Sequence, residues 1–522
     1  MKKRTFTMLL ITFLFVCFSL NAFACTMQSG NSDRSQSTND SIVSTSDSSS
    51  DKSQIIEVSS IILSETVIEA FEGEKYVLTV TIFPENATNK RVSWSSSNRN
   101  VATVTNGTVR CLKSGTATIT ATSNNNIVAK CNVIVSVKPA PTFAQMHIDT
   151  QGQAIDSKDV YVGCSVSVTN TDERYCFEGV SGKIKGRGNS TWDMPKKPYK
   201  LKFDEKVDLF GNGLAKTWTL IANYCDPSLI RNHLVYALAD CFDTLESTTK
   251  IFTVDLYLNG VYNGVYLVCE QNETGTNRVD VDESLEYVDT GYLIELDARI
   301  VNEGIEGKDY FTLNGYYAIK GPDTEDPAFT QAHFDFIKAY TTDAYASLQS
   351  GDFDRVCEFL DVETFADAYV IHELFAMVDV GFSSFYMHKD AGGKLKAGPL
   401  WDMDISSGNC DYHPDAVRTD YLWGKTNPWY DKLLRFDEFR SLVRKRLQTF
   451  HYQQFIDEEI AKILEYEKAY SANFDVWDVL GVYVWPNTEK IVSITTWKGQ
   501  VEYLQQWLTA KLAFMKDEYV YA

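Results

Sequence analysis

Asp379, Ser384, Asp402 and Asp404 carry oxygen atoms that can hold a hard divalent cation or take a proton from a hydroxyl. Magnesium is typically bound by one or two carboxylates together with phosphate oxygens. A carboxylate beside it can act as general base toward an alcohol. These residues lie in one stretch, Asp361 to Asn409, and the elements read from it would bring them together. Phe365, Tyr369, His372 and Phe375 recur at helical spacing, with Asp361 as N-cap and Gly381 as stop. A loop, Val380 to Ser383, leads to a strand, Phe385 to Lys389. A turn at Asp390-Ala391-Gly392-Gly393 then precedes a second strand running to Trp401-Asp402-Met403-Asp404. Asp379 thus ends a helix, and the hairpin folds Asp402 and Asp404 back toward it. The alternative on pattern alone is two surface carboxylates flanking a hairpin.

Protein kinases use the same layout. A catalytic-loop Asp accepts the hydroxyl proton, an amide five residues later holds metal, and a hairpin delivers a second metal-binding Asp. Here the position five after Asp379 is Ser384, an oxygen donor in place of the amide.

Four further stretches carry polar groups that could serve a nucleotide. Lys185-Gly186-Arg187-Gly188-Asn189 is a Gly-rich turn, followed by the alternating strand Tyr199-Lys200-Leu201-Lys202-Phe203. Backbone N–H groups of such a turn and point charges on such a strand can cradle phosphates. Asn223 lies in a strand-to-helix junction that leads to Arg231 and Asn232, and a helix N-terminus suits an anion. Asp226 or Ser228 would be its cap. Val254 to Val268 reads as a hairpin turning at Asn259-Gly260 and ending at Glu270. Glu270 either pairs with a nucleotide-binding Lys or is a plain surface acid.

The chain has 522 residues, 44% of them hydrophobic and 13% aromatic, enough for several globular domains. Its 49 Lys and Arg against 70 Asp and Glu give a formal net charge of −21. That argues against nucleic acid as a general partner, since neutralising phosphates needs Lys and Arg. A basic protein or peptide suits it better. Lys2-Lys3-Arg4, the apolar run Met8 to Leu20 and Ala22-Phe23-Ala24 form an export signal, residues 1–24. Cys25 follows at once, as in bacterial lipoprotein signals, where that Cys is lipidated and anchors the chain in a membrane. Ala-x-Ala also suits the ordinary signal peptidase, which would release the chain. Of eleven Cys, nine remain after Cys17 and Cys25, scattered and without zinc-site spacing. Cys111 and Cys131 could pair with each other.

Residues 25–55 are rich in Ser, Asp, Asn and Thr and read as a disordered tether. Residues 56–138 alternate β-branched runs with turns, as in a small β-sandwich with Trp94 in its core. Phe83 to Thr88, Trp94 to Asn98, Val101 to Val104 and Gly115 to Ala121 resemble the bacterial immunoglobulin-like group 2 domain, which implies a spacer or adhesion module contacting surface or wall components. From Ala144 onward the chain reads as α/β, and helical after Asn409. Trp497, Val501, Leu504, Leu508 and Leu512 form an apolar stripe capped by Thr495 or Thr496.

Lys185 to Phe203, Trp218 to Leu238, Asp255 to Asp280 and Asp379 to Asn409 together resemble the CotH kinase family of secreted spore-coat-type kinases, over residues 145–522. The resemblance implies an atypical protein-kinase-like α/β (α+β) fold with a helical C-terminal part, ATP and Mg2+ as cofactors, and serine in protein as acceptor. It implies Asp379 as catalytic residue and Ser384, Asp402 and Asp404 at the metal. Arg187, Asn189 and either Lys200 or Lys202 would contact phosphate, and Asn223, Arg231 and Glu270 complete the nucleotide surroundings. Trp401-Asp402-Met403-Asp404 lacks the Phe-Gly of ordinary kinases, so their activation-loop logic does not transfer. Export, tether and immunoglobulin-like module point to the cell surface. The competing reading is a surface adhesin with an inactive kinase-like domain.

Overall fold

The computed structural model describes residues 54–521. The export signal, Cys25 and nearly all of the expected tether lie outside the described residues. The chain divides into two compact units, at Val137 and Lys138.

The first unit is all β. Val67–Phe71, Val128–Ser136, Gly115–Ser123 and Val92–Ser96 form a four-stranded sheet. Lys75–Val77, Thr108–Cys111 and Ala102–Thr105 form a three-stranded one. Ile119, Ala121, Val133, Ala102 and Val109 are fully buried in its core, as strand alternation requires. The β-branched run from Tyr76 to Ile82 is divided between two strands, because its halves join different partners: Lys75–Val77 pairs with Thr108–Cys111, and Val80–Phe83 with Ser60–Leu63. Trp94 is half-buried at the core's edge, and Cys111 and Cys131 are free buried thiols.

The second unit holds a closed seven-stranded barrel. Its order is Ala144–Asp149, Val162–Thr169, Phe177–Gly186, Tyr199–Asp208, Leu214–Ile221, Val261–Glu270 and Ile251–Leu258, the last closing in parallel on the first. Leu201, Phe203, Trp218, Leu220 and Val268 fill the interior. Period-two alternation then directs Lys200 and Lys202 outward. The turn between the two long strands is Asn259-Gly260, with φ of 49° and 79°, the left-handed pair that a two-residue hairpin needs.

A five-stranded antiparallel sheet follows, in the order Tyr310–Thr312, Tyr316–Gly321, Tyr292–Leu296, Phe385–Lys389, Lys396–Ala397. The helix Val362–Phe375 is buried on nearly all sides, including Asp367 and Glu373. Glu373 is held by the buried Lys511 at 2.5 Å. After residue 427 the chain is mainly helical, ending in Trp497–Lys516. Thr496 accepts from the Gly499 N–H, and all five residues of the expected stripe are buried.

Candidate active site

Two registers build the site. Leu296 pairs with Phe385, so residues just past 296 face residues just before 385. This sets Asp297–Arg299 against the loop that holds Asp379 and Ser384. Met387 pairs with Ala397, which returns the chain toward Asp402. The return strand is only Lys396–Ala397, shorter than expected, because Pro399 has no N–H to continue the ladder. Residues 398–409 are therefore irregular, and side chains fix their path.

Asp379 lies in the 3-10 turn Val378–Gly381, beyond a helix that ends at Phe375. Arg299 Nη2 donates to its Oδ2 at 3.1 Å, and Arg299 Nη1 donates to Ser383 Oγ. Burial first, then the negative charge of Asp402, raises the Asp379 pKa above the usual carboxylate range; Arg299 opposes both. Ser384 Oγ donates to Asp402 Oδ2 at 3.2 Å. Both residues have positive φ, 61° and 66°, a strained backbone for non-glycine residues. The Ser384 N–H is held by Glu295 Oε1 at 3.2 Å, and Glu295 in turn by Lys320 at 3.0 Å. The Asp402 N–H donates to the Tyr236 hydroxyl at 3.3 Å, and the next N–H, of Met403, to Asn232 Oδ1 at 2.8 Å.

Asp404 is buried. Cys225 Sγ donates to its Oδ2 at 3.2 Å, and the Ile405 N–H to its Oδ1 at 3.1 Å. Burial, aided by Asp402, pushes its pKa up to about 7. Asn409 donates to the carbonyls of Cys225 and Asp404, both at 2.9 Å, and pins this loop to the junction after the strand Leu214–Ile221.

The other expected residues divide. Arg187 lines a small cleft with Asn223, Trp401, Asp402 and Asp404, and its guanidinium lies 5.4 Å from the Trp401 ring. Asn223 donates to the Leu229 carbonyl at 3.3 Å and accepts from Asn232 at 3.0 Å, so it braces the 402–404 segment as well as lining the cleft. Lys200 stands directly opposite Lys185, and Lys202 opposite Lys183. Burial lowers the Lys200 pKa, Glu273 raises it, and Lys185, Arg187 and Lys202 lower it. Asn189 is exposed at the head of the turn Ser190–Asp193. Gly188 has φ of 87°, and a Cβ there would fall 2.2 Å from Thr191 Oγ1, so this turn needs its glycine.

Two expectations require correction. Arg231 is fully buried, and its guanidinium is engaged by Asp226, by Ser228 Oγ and by the carbonyls of Ser406 and Ser407. It braces the loop after Asp404 and presents nothing to a ligand. The first N–H of its helix donates to Asp226 Oδ2 at 3.0 Å, so the anion at that terminus is the chain's own carboxylate. Glu270 pairs with Arg278 at 3.0 Å, not with Lys200 or Lys202. The carboxylate that acts on Lys200 is Glu273.

Among the described residues no group of three or more His, Cys, Asp or Glu is placed to hold a metal ion. Ser384 and Asp402 still offer two hard oxygens at one point, the kind of set magnesium shares with phosphate and water. They fit that cation.

Residues 184–515, more than half of the chain, match the family model described as CotH kinase protein. The chain belongs to the CotH kinase family. Residues 57–133 match the bacterial Ig-like domain (group 2). Among curated proteins, a minor capsid protein of Enterobacteria phage T3 is 42% identical over 76 residues, 15% of this chain and 17% of that protein. An alpha-L-arabinofuranosidase of Bifidobacterium longum is 39% identical over 163 residues, 29% of this chain and 15% of the enzyme. The chain thus spans under a fifth of either relative's length. A solved structure of S-layer protein SbsC domains 4 and 5 is similar over 16% of this chain and 53% of that one, at 24% identity and a TM-score of 0.14. Arg299, Glu295, Lys320 and Glu273 stand outside every expectation drawn from sequence for this CotH domain, and Asn232 was named there only as part of an anion-binding helix terminus. Asn409 was legible only as the end of the organising stretch. No helix among the described residues is long and apolar enough to cross a membrane.

Proposed function

We propose that this CotH-family chain is a protein kinase with a kinase-like fold that transfers the γ-phosphoryl group of ATP to serine in protein. The observation that carries the reading is the meeting of Ser384 Oγ and Asp402 Oδ2 at 3.2 Å, near a carboxylate, Asp379, whose pKa is raised by burial and by the charge of Asp402. Bound there by Ser384 and Asp402, with Asp404 in support, magnesium would neutralise charge on the β- and γ-phosphates. Asp379 orients the acceptor hydroxyl and takes its proton, which its raised pKa favours.

The barrel face supplies the phosphate-binding cations. Like charges directly opposite on neighbouring strands are destabilising. The Lys185–Lys200 and Lys183–Lys202 pairs therefore cost stability that Glu273 offsets in part and that a bound phosphate would offset further. Arg187 extends this face toward Asp402. Trp401, stacked on Tyr236 with centroids 6.1 Å apart, walls the cleft beside it. The sequence-level export signal and Cys25 support a lipid-anchored or released surface location, with the Ig-like domain as spacer to surface or wall components. The acceptor would be a Ser-rich protein, and the net charge of −21 supports a basic one.

Magnesium-dependent nucleotide binding tests the reading. The melting temperature of the full chain should rise with ATP and magnesium and return to its starting value with EDTA. The absence of any nucleotide-dependent shift would overturn it and favour an inactive surface protein.

A further inference from the structure

Arg299 is the cation closest to Asp379, and the phosphate-binding lysines do not share its surroundings. Its backbone N–H donates to Asp297 Oδ1 at 3.0 Å, and the neighbouring Ala298 N–H to the Phe382 carbonyl at 2.9 Å. The side chain is thus launched from a fixed point. Its guanidinium lies 5.1 Å from the Phe382 ring. Nη2 and Nη1 are occupied by Asp379 and Ser383, and 32% of the side chain remains open to solvent. The charged neighbours of Lys200 are instead Glu273, Lys185, Arg187 and Lys202.

An arginine on a general base carries a cost, because it holds the carboxylate in its charged form and weakens it as a proton acceptor. A plain ion pair offers little in return when the arginine is partly open to solvent. A cation at this point has a use if negative charge develops there. In phosphoryl transfer the moving group spreads charge over its three equatorial oxygens, midway between donor and acceptor.

Resting on the kinase reading above, we propose that Arg299 is a catalytic residue, holding Asp379 by one edge of its guanidinium and binding the transferring phosphoryl group by its remaining N–H donors. The acceptor serine oxygen attacks the γ-phosphorus, and its proton passes to Asp379. The bond from the γ-phosphorus to the bridging oxygen breaks, and that electron pair leaves with ADP. Arg299 neither gains nor loses a proton. It binds the equatorial oxygens more strongly as their charge builds, which is what lowers the barrier.

The test uses the full chain, ATP labelled at the γ-phosphate, magnesium and dephosphorylated casein. Arg299→Ala should lower kcat about 10²–10³-fold, the usual loss for one charge-stabilising donor. KM for ATP and the magnesium–ATP melting shift should stay within about threefold and a few degrees of the native values. Arg299→Lys should recover part of the loss, and millimolar guanidinium added to Arg299→Ala should recover more. A purely structural role would give neither recovery. Native kcat in Arg299→Ala overturns the proposal, as does loss of nucleotide binding together with turnover and no response to guanidinium. If Arg299→Ala does not fold, Arg299→Lys and Arg299→Gln decide it: equal kcat in the two overturns the proposal. Native chain that transfers no phosphate overturns the kinase reading itself, and Arg299's role with it. Transfer that is indifferent to Arg299 overturns only the latter.

Discussion

Ser384 Oγ and Asp402 Oδ2 lie 3.2 Å apart although 18 residues separate them in sequence. Both are held at positive φ, Ser384 by Glu295 and Asp402 by Tyr236. Strain of this kind costs about 1–3 kcal/mol per residue and persists only where the surroundings impose it. Asp379 is fixed separately, by Arg299. The site therefore has two anchors, and removing each should have a different effect.

Asp402→Ala should weaken magnesium-dependent ATP binding as well as turnover, because phosphate charge is then poorly compensated. Asp379→Ala should leave ATP affinity near native and lower turnover by about 10²–10⁴-fold, the usual scale of general-base and orientation effects. Calorimetric titration of both variants with ATP and magnesium checks this. The opposite pattern would reverse the two roles.

The facing lysines predict a trade between stability and affinity. Lys200→Gln removes the repulsion from Lys185 and the cost of burying the charge, which together outweigh the attraction to Glu273, so the ligand-free chain should melt at the native temperature or above it, a gain of about 0.2–1 kcal/mol for one cross-strand pair. The upward shift given by ATP and magnesium should shrink. Thermal unfolding with and without ligand reads both effects.

Arg231→Met separates brace from ligand contact. It leaves Asp226 buried without its partner, and breaking such a pair costs about 3–5 kcal/mol. Urea denaturation should show that loss. Native stability with lost ATP binding would instead return Arg231 to the nucleotide.

These outcomes bear on how much was legible in the sequence. The helix Val362–Phe375, the strand Phe385–Lys389 and the capped helix Trp497–Lys516 follow from periodicity and caps, which are local signals. The Asp379, Ser384 and Asp402 positions follow from spacing within one stretch. Arg299 does not, since it lies 80 residues before Asp379, in a loop without a motif. Only the Leu296–Phe385 register brings it there, and strand register between distant segments is not written in either segment alone. Arg231 shows the converse. It sits in a polar cluster that reads as a ligand site, yet burial turned its guanidinium inward, onto the chain's own carbonyls and carboxylate.

Glu270 gives a pH signature. Burial outweighs its Arg278 partner and pushes its pKa up to about 7. A carboxylate raised on folding binds its proton more tightly in the native state. Its contribution is therefore fully present below the unfolded value of about 4.3 and is lost as pH rises through about 7. Glu270→Gln should flatten the stability–pH curve over that window. Chemical denaturation at several pH values measures it, and an unchanged slope would place the native Glu270 pKa near that of a free carboxylate.

The most direct measurement of the central claim is transfer of labelled γ-phosphate to dephosphorylated casein by the full chain with magnesium, followed by identification of the modified residue. The account predicts phosphoserine with the native chain and a drop to background with either Asp379→Asn or Asp402→Asn, each still folded by thermal melt. Native chain that binds magnesium–ATP but transfers no phosphate, or an Asp379→Asn variant that transfers it at the native rate, would contradict the account.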